Sequence, residues 1–253
     1  MALLLAVKAI TQENREFLAQ YDISVVTPDT ITDEQLPEVL ISYAWDTEIG
    51  HKILANPESK LKWIQAQSAG VDYLPLKTLQ ERQITVTNAS GLKAVPIAQT
   101  VLGYILHFAR GLNVYSTRKH WEPLTDQYLM SELPVLVFGT GRIGQQIAHA
   151  VKSLGGVVFG VNTTGRPVEG FDATYAISDY QEALAKSQVV VDGLPGTKET
   201  ENFFDEHFFQ QFNQLFLFIN IGRGTTLNQD DLLSAIDDSR VKYAALDLSL
   251  IHI

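Results

Sequence analysis

Short apolar runs alternate with stretches whose apolar positions recur at helical spacing along the whole chain. In the first half, runs at 2–7, 23–27, 39–43, 61–67 and 84–87 predict strands, with helices over 11–20, 48–55 and 76–81. A second series predicts strands at 134–138, 157–161, 189–192, 215–220 and 243–247, and helices over 142–153, 179–185, 206–212 and 229–238. Runs that are continuously apolar suit strands of a parallel sheet with helices on both faces. Between the series lies 94–112, where Pro96 suits a first helical turn and Gly111 a helix end. With Val95, Ile97, Val101, Leu102, Ile105, Phe108 and Leu112 it is too apolar for a one-faced surface helix. Burial on two sides, between domains or between subunits, is expected. Residues 113–132 are irregular and contain Pro123, which suits a domain crossing there or just before. The pattern predicts an α/β chain of two doubly wound parallel-sheet domains, 1–93 and 94–253, joined by the long apolar helix.

Composition narrows the function. At about 150 residues per domain, 253 residues fit two domains. Hydrophobic residues make up 45% and charged residues 19%, a globular profile. The net charge of −10 disfavours nucleic acid and anionic membranes as partners. With no Cys there is no disulfide, thiolate metal site or Cys nucleophile, which fits a reducing cytoplasm. No metal site is expected. The opening apolar run is too short to span a bilayer and lacks the basic start of a signal peptide.

The sharpest motif is Gly139-Thr140-Gly141-Arg142-Ile143-Gly144, which follows a predicted strand and opens a predicted helix. In that setting Gly139 allows a tight turn, Gly141 lets backbone approach a pyrophosphate, and Gly144 lets helix and strand pack closely. The helix N-terminus then offers N–H groups and a positive dipole end to phosphates. A Rossmann-like dinucleotide site is the reading. The second strand ends in Asn162-Thr163-Thr164-Gly165-Arg166, with no carboxylate to accept from a ribose 2′-OH. Asn162 does not repel a 2′-phosphate, the Thr163 and Thr164 hydroxyls can donate to it, and Arg166 can pair with it. NADP is therefore expected to be preferred over NAD.

Five further stretches match in order: 67–72 (Gln-Ser-Ala-Gly-Val-Asp), 87–91 (Thr-Asn-Ala-Ser-Gly), 194–197 (Leu-Pro-Gly-Thr), 219–224 (Ile-Asn-Ile-Gly-Arg-Gly) and 244–247 (Ala-Ala-Leu-Asp). With the glycine turn, they make the chain resemble the D-isomer-specific 2-hydroxyacid dehydrogenases. The resemblance implies hydride transfer between a nicotinamide and a 2-keto or 2-hydroxy acid. It implies a flavodoxin-like substrate domain at 1–93, an NAD(P)-binding Rossmann domain at 94–253, and a homodimer through 94–112. Arg223 stands just past a predicted strand, where open α/β sheets bind ligands, and its planar fork suits a carboxylate. It falls at the family's catalytic arginine. Backbone N–H groups of Ala69, Gly70 and Val71 resemble the family's second carboxylate hold. Asp247 matches the residue at the nicotinamide carboxamide, Pro195 and Thr200 match the adenosine side, and Ile221 and Gly222 lie on the cofactor stretch. Tyr43, Trp45 and Trp121 read as core or interface aromatics.

The family's acid–base pair is a Glu in a Glu-Pro after the strand Asp and a later His. After Asp247 the chain reads Leu-Ser-Leu-Ile-His-Ile, and His252 stands too close to the strand to match. The expectation is a chain that stops before that pair, with an incomplete cofactor sheet and crippled turnover, since a missing general acid costs about 10²–10⁴-fold. A catalytically inactive NAD(P)-binding or partner-binding protein is the alternative reading. A Tyr-x-x-x-Lys reductase is disfavoured, because Tyr175, Tyr180 and Tyr243 have no Lys four residues on.

Overall fold

The computed structural model describes residues 2–71 and 73–247, and the chain divides into two compact units, Met1–Ser90 and Gly91–Ile253. The reading of His252 lies outside the described residues. In the first unit β1 (Ala2–Ala6), α1 (Gln12–Ala19), β2 (Ile23–Val26), β3 (Val39–Tyr43), α2 (Thr47–Ala55), β4 (Trp63–Gln65), α3 (Leu76–Glu81) and β5 (Thr85–Thr87) follow one another. The sheet order is β2-β1-β3-β4-β5, and every pairing is parallel. Side-chain caps start α1 and α2: Thr11 accepts from the Asn14 N–H and Asp46 from the Ile49 N–H. One face of this sheet packs Leu5, Val39, Ile64, Ile53 and Leu79 into a core. The other face, with Leu4, Ile41, Tyr43 and Trp63, lines an apolar groove of about 470 Å³ beside α1.

The second unit begins with α4 (Ala94–Ala109) and the single turn α5 (Leu112–Tyr115). The helix expected over 94–112 therefore stops three residues early. Gly111 takes φ +66°, left-handed backbone that breaks the helix and suits glycine. There follow β6 (Val135–Phe138), α6 (Arg142–Ser153), β7 (Val158–Asn162), β8 (Ala173–Ala176), α7 (Gln181–Lys186), β9 (Val189–Asp192), α8 (Glu206–Phe209), β10 (Leu215–Asn220), α9 (Gln229–Asp237) and β11 (Val241–Leu246). The six strands lie in the order β11-β10-β9-β6-β7-β8, all parallel. This is the doubly wound arrangement, with strand order reversing between β6 and β9. The sequence reading counted five strands here and missed β8. Ala173-Thr-Tyr-Ala176 is a half-buried edge strand of mostly small residues, so its apolar signal is weak. With β8 counted, the sheet has six strands among the described residues.

Helices cover both faces of this sheet. On one side α4 and α6 pack Val101, Ile105, Ile147 and Val151 against Val135, Val137, Val191 and Ile219. On the other, Phe204, Phe208, Phe209 and Phe212 surround Phe138 and Phe218, with rings meeting mostly edge to face. No helix among the described residues is long and apolar enough to cross a membrane. Among the same residues no group of three or more His, Asp or Glu could hold a metal ion.

Candidate functional site

The glycine turn after β6 assigns each glycine a separate task. Gly139 has φ +102°, and its N–H closes the turn on the Val161 carbonyl at 2.8 Å. A Cβ on Gly144 would stand 2.1 Å from the Gly139 carbonyl oxygen, so only glycine lets α6 press this close to the turn. A Cβ on Gly141 would meet nothing within 4 Å. Gly141 is the residue before α6, and it has no side chain to cap the helix. The space in front of the helix N-terminus is thus open, and dipole and N–H groups there suit an anion.

That opening belongs to a cavity of about 580 Å³ walled by Gly139, Thr140, Gly141, Asn162, Thr163, Arg166, Pro195 and Thr200. These eight are all residues singled out from the sequence. Arg142, Ile143, Gly144, Thr164, Ile221, Gly222, Arg223 and Asp247 do not line it. Asn162 braces the wall. Its Nδ2 donates to Thr140 Oγ1 at 3.2 Å and to the Arg166 carbonyl at 2.9 Å, while Oδ1 accepts from the Thr164 N–H at 3.1 Å. Thr174 Oγ1 donates to the same Arg166 carbonyl at 2.9 Å. The loop that presents Arg166 is therefore pinned at its backbone from two sides. Opposite it, Thr200 Oγ1 donates to the Pro195 carbonyl and accepts from the Thr197 N–H at 2.9 Å, folding 195–200 into a compact turn.

At the ends of β9 and β10 two polar residues are fully buried, Asp192 and Asn220. Asn220 Oδ1 accepts from the Gly222 N–H at 2.9 Å, and its Nδ2 donates to the Arg223 carbonyl at 3.1 Å. Its own carbonyl accepts from the Asp247 N–H at 2.9 Å, which fixes Asp247 at the end of β11. Asp192 Oδ1 accepts from the Leu194 N–H at 2.8 Å, and Oδ2 lies 2.5 Å from Thr226 Oγ1. Burial pushes the Asp192 carboxyl up to about 6, against the two hydrogen bonds that favour its charged form. Arg223 is half-buried; its Nη1 donates to the Gly222 carbonyl at 2.8 Å, and its stem lies over Gly196, where a Cβ would come within 3.1 Å of Arg223 Cγ.

In the first unit, the loop of Ala69, Gly70 and Val71 has its carbonyls tied inward. Asn88 Nδ2 donates to the Ala69 carbonyl at 2.8 Å and Ser68 Oγ to the Gly70 carbonyl at 2.6 Å. The Leu74 N–H donates to the Val71 carbonyl at 3.0 Å. Among the described residues none accepts from the N–H groups of Ala69, Gly70 or Val71.

Comparison with known proteins decides the lineage. Residues 102–249 match the model of the D-isomer specific 2-hydroxyacid dehydrogenase NAD binding domain. The chain belongs to the D-isomer-specific 2-hydroxyacid dehydrogenase family. It is 30% identical over 209 residues to human glyoxylate reductase/hydroxypyruvate reductase, covering 79% of this chain and 64% of that protein. An uncharacterized protein of Corynebacterium melassecola is 31% identical, covering 76% of this chain and 65% of the relative. The chain thus spans less than two thirds of the length of these curated relatives. A D-isomer specific 2-hydroxyacid dehydrogenase family protein from Aeromonas salmonicida is similar in structure, with TM-score 0.80 and 29% identity over 99% of this chain and 82% of that one. Within that family, the matched residues are the NAD binding domain.

Sequence reasoning missed several residues of the cavity wall: Val161, Ile177, Ser178, Leu194, Thr197, Glu199 and Phe203. Val161 lies on β7 and the others on the segments after β8 and β9, and only the sheet brings them together. Asp192 was missed as well, although an apolar run ending in a carboxylate, Val-Val-Val-Asp192, was a visible signal.

Proposed function

We propose that the chain is an NAD(P)-dependent oxidoreductase that transfers hydride between a nicotinamide and a 2-keto or 2-hydroxy acid. The observation that carries this reading is the cavity in front of α6, open at Gly141 and walled by the glycine turn. A dinucleotide fits these residues: α6 faces its pyrophosphate, Thr140 and Thr163 its ribose hydroxyls, and Pro195, Thr200 and Phe203 its adenosine. When bound, the nicotinamide supplies or accepts the hydride. The chain's own part is to orient: Arg223 holds the substrate carboxylate as a planar fork, and Asp247 meets the carboxamide. In the first unit, taken by itself, the N–H groups of Ala69, Gly70 and Val71 suit a carboxylate. Glyoxylate and hydroxypyruvate, substrates in the human relative's name, are the 2-keto acids to try first.

NADP is the preferred cofactor in this reading. Arg166 lines the cavity and the tip of β7 carries no carboxylate. A charge-assisted contact of roughly 1.5–3 kcal/mol corresponds to about 10- to 100-fold tighter NADPH. A second copy of the chain covers the half-buried Leu102 and Leu106 of α4, making a homodimer; light scattering at micromolar concentration checks it, and a monomer contradicts it. Equilibrium binding of NADPH and NADH, read by nicotinamide fluorescence, tests the function without turnover. Binding of neither overturns the reading, and equal affinities overturn only the cofactor preference. Arg166→Ala should erase that preference. Asn162→Asp is a poorer test, because the aspartate could not donate to the Arg166 carbonyl and would loosen the loop.

A further inference from the structure

Asp192, Thr226 and Arg223 raise a question of proton count. Thr226 Oγ1 lies 2.5 Å from Asp192 Oδ2 and 2.6 Å from the Arg223 carbonyl oxygen. A hydroxyl has one proton to donate, and a carbonyl or an ionised carboxylate has none. With Asp192 ionised, Thr226 Oγ1 can serve one of its two neighbours and turns a lone pair on the other, while the Arg223 carbonyl keeps the Asn220 amide and the Thr226 N–H in either state. With Asp192 protonated, both contacts are satisfied: Asp192 donates to Thr226 and Thr226 donates to the Arg223 carbonyl. Meanwhile Oδ1 keeps the Leu194 N–H in either state.

We propose that Asp192, Thr226 and the Arg223 carbonyl form a hydrogen-bond chain that closes when Asp192 carries a proton, making Asp192 the positioning residue that ties the Arg223 turn to pH. The groups around the carboxyl support this. Phe138 on β6 and Asn220 on β10 pair with Asp192 across the sheet, and Leu194 and Gly222 close over it; all are uncharged. Arg223 is the charged residue of the adjoining turn, and Asp247 that of the neighbouring strand end. Burial, rather than a charged neighbour, raises the carboxyl into the range where the chain can switch. The same Asp192 also anchors Leu194 of the cofactor wall, so one proton bears on both the cavity and the arginine.

This inference rests on the proposed function, in which Arg223 grips a carboxylate. The test uses oxamate, an unreactive 2-keto acid analogue, titrated into the NADPH complex from pH 5 to pH 8 with NADPH affinity measured alongside. The wild-type chain should bind oxamate on the order of fivefold tighter at pH 5 than at pH 8, the worth of one hydrogen bond. Asp192→Asn copies the protonated state, with Oδ1 accepting from Leu194 and Nδ2 donating to Thr226. It should bind tightly with no slope across the range. Thr226→Val should also lose the slope but stay at the weak limit, and Thr226→Ser should restore it. A slope that persists in Asp192→Asn overturns the inference and leaves the functional reading standing. Wild-type protein that binds neither NADPH nor oxamate overturns both.

Discussion

The two sheets are built from the same alternation of strand and helix, yet they are buried differently. In the second unit β6, β9 and β10 are buried at every position. In the first, the interior strand β4 alternates: Trp63 is 39% exposed while Ile64 is fully buried. Alternation inside a parallel sheet means that one face has incomplete cover. Trp63 answers partly with a polar contact, its Nε1 donating to Thr87 Oγ1 at 2.7 Å. A strand that is apolar and buried throughout therefore marks local cover on both faces, as at β6, β9 and β10 and also at β1, which lies beside α1 in the first sheet. An alternating one marks a sheet whose second face is left to something else, here the groove beside α1.

The largest expected effect tests that contrast directly. Phe218→Ala removes a ring that is fully buried and meets Phe204 and Phe209 edge to face. It should cost about 3–5 kcal/mol. Trp63→Ala removes a larger side chain from the open face and should cost about 2 kcal/mol, the hydrogen bond plus partial burial. Urea unfolding followed by circular dichroism measures both. Equal losses would break the comparison.

Next comes a pH effect confined to the second unit. The Asp192 carboxyl titrates near 6 in the folded chain and near 3.9 when unfolded. Between these values the folded state holds a proton that the unfolded state has lost, so stability falls as pH rises from about 4 to 6. Above 6 the full cost is present, roughly 3 kcal/mol at about 1.4 kcal/mol per pKa unit. Asp192→Asn should be as stable as wild type below about pH 4, already more stable at pH 5, and most clearly so at pH 8. A variant less stable than wild type at pH 8 would show that the two hydrogen bonds outweigh the buried charge.

The glycine turn separates stability from ligand approach within one motif. Gly144→Ala drives a Cβ onto a backbone oxygen, and overpacking of this kind costs about 1–3 kcal/mol. Gly141→Ala meets no atom within 4 Å and should leave stability unchanged within about 0.5 kcal/mol. Its methyl group stands where the dinucleotide approaches, so NADPH affinity should fall on the order of tenfold. Loss of stability in Gly141→Ala would contradict the open space.

Much of this was legible from residues alone. The buried strands β6, β9 and β10 announce themselves as unbroken apolar runs, and the glycine spacing after β6 states its own turn. Six of the eight cavity residues could be named because they sit on the glycine turn or at the tip of β7 and the loop after it, while Pro195 and Thr200 were named from the family resemblance. β8 could not be read, since Ala173 and Ala176 carry little apolar signal and the strand sits at an edge. The true end of α4 was blurred because apolar residues continue past Gly111 into α5. The Asp192–Thr226 contact joins residues 34 apart in sequence, and no local pattern pairs them. Asn162 lines the cavity, and its amide holds the loop together through groups that only the fold supplies.

The smallest expected effect lies at the rim of the second sheet. Asp172 Oδ1 pairs with Lys152 Nζ at 2.6 Å, and its Oδ2 accepts from the Val158 N–H at 2.8 Å. Partial burial pushes its pKa up, but the Lys152 contact and the Val158 bond outweigh it and hold the carboxyl below its ordinary value. The charged form is therefore favoured by folding. Its contribution is present above the unfolded value near 3.9 and is lost as pH falls through the folded one. Both side chains are substantially exposed, 42% and 35%, so solvent screens the pair. Lys152→Met should cost less than about 1 kcal/mol at pH 7 and low salt. The loss should shrink in 1 M NaCl, where the Debye length is about 3 Å. The Val158 bond survives the change, so Asp172→Ala should cost more than Lys152→Met. If the two variants cost the same, the ion pair and not the backbone bond is what Asp172 contributes at this edge.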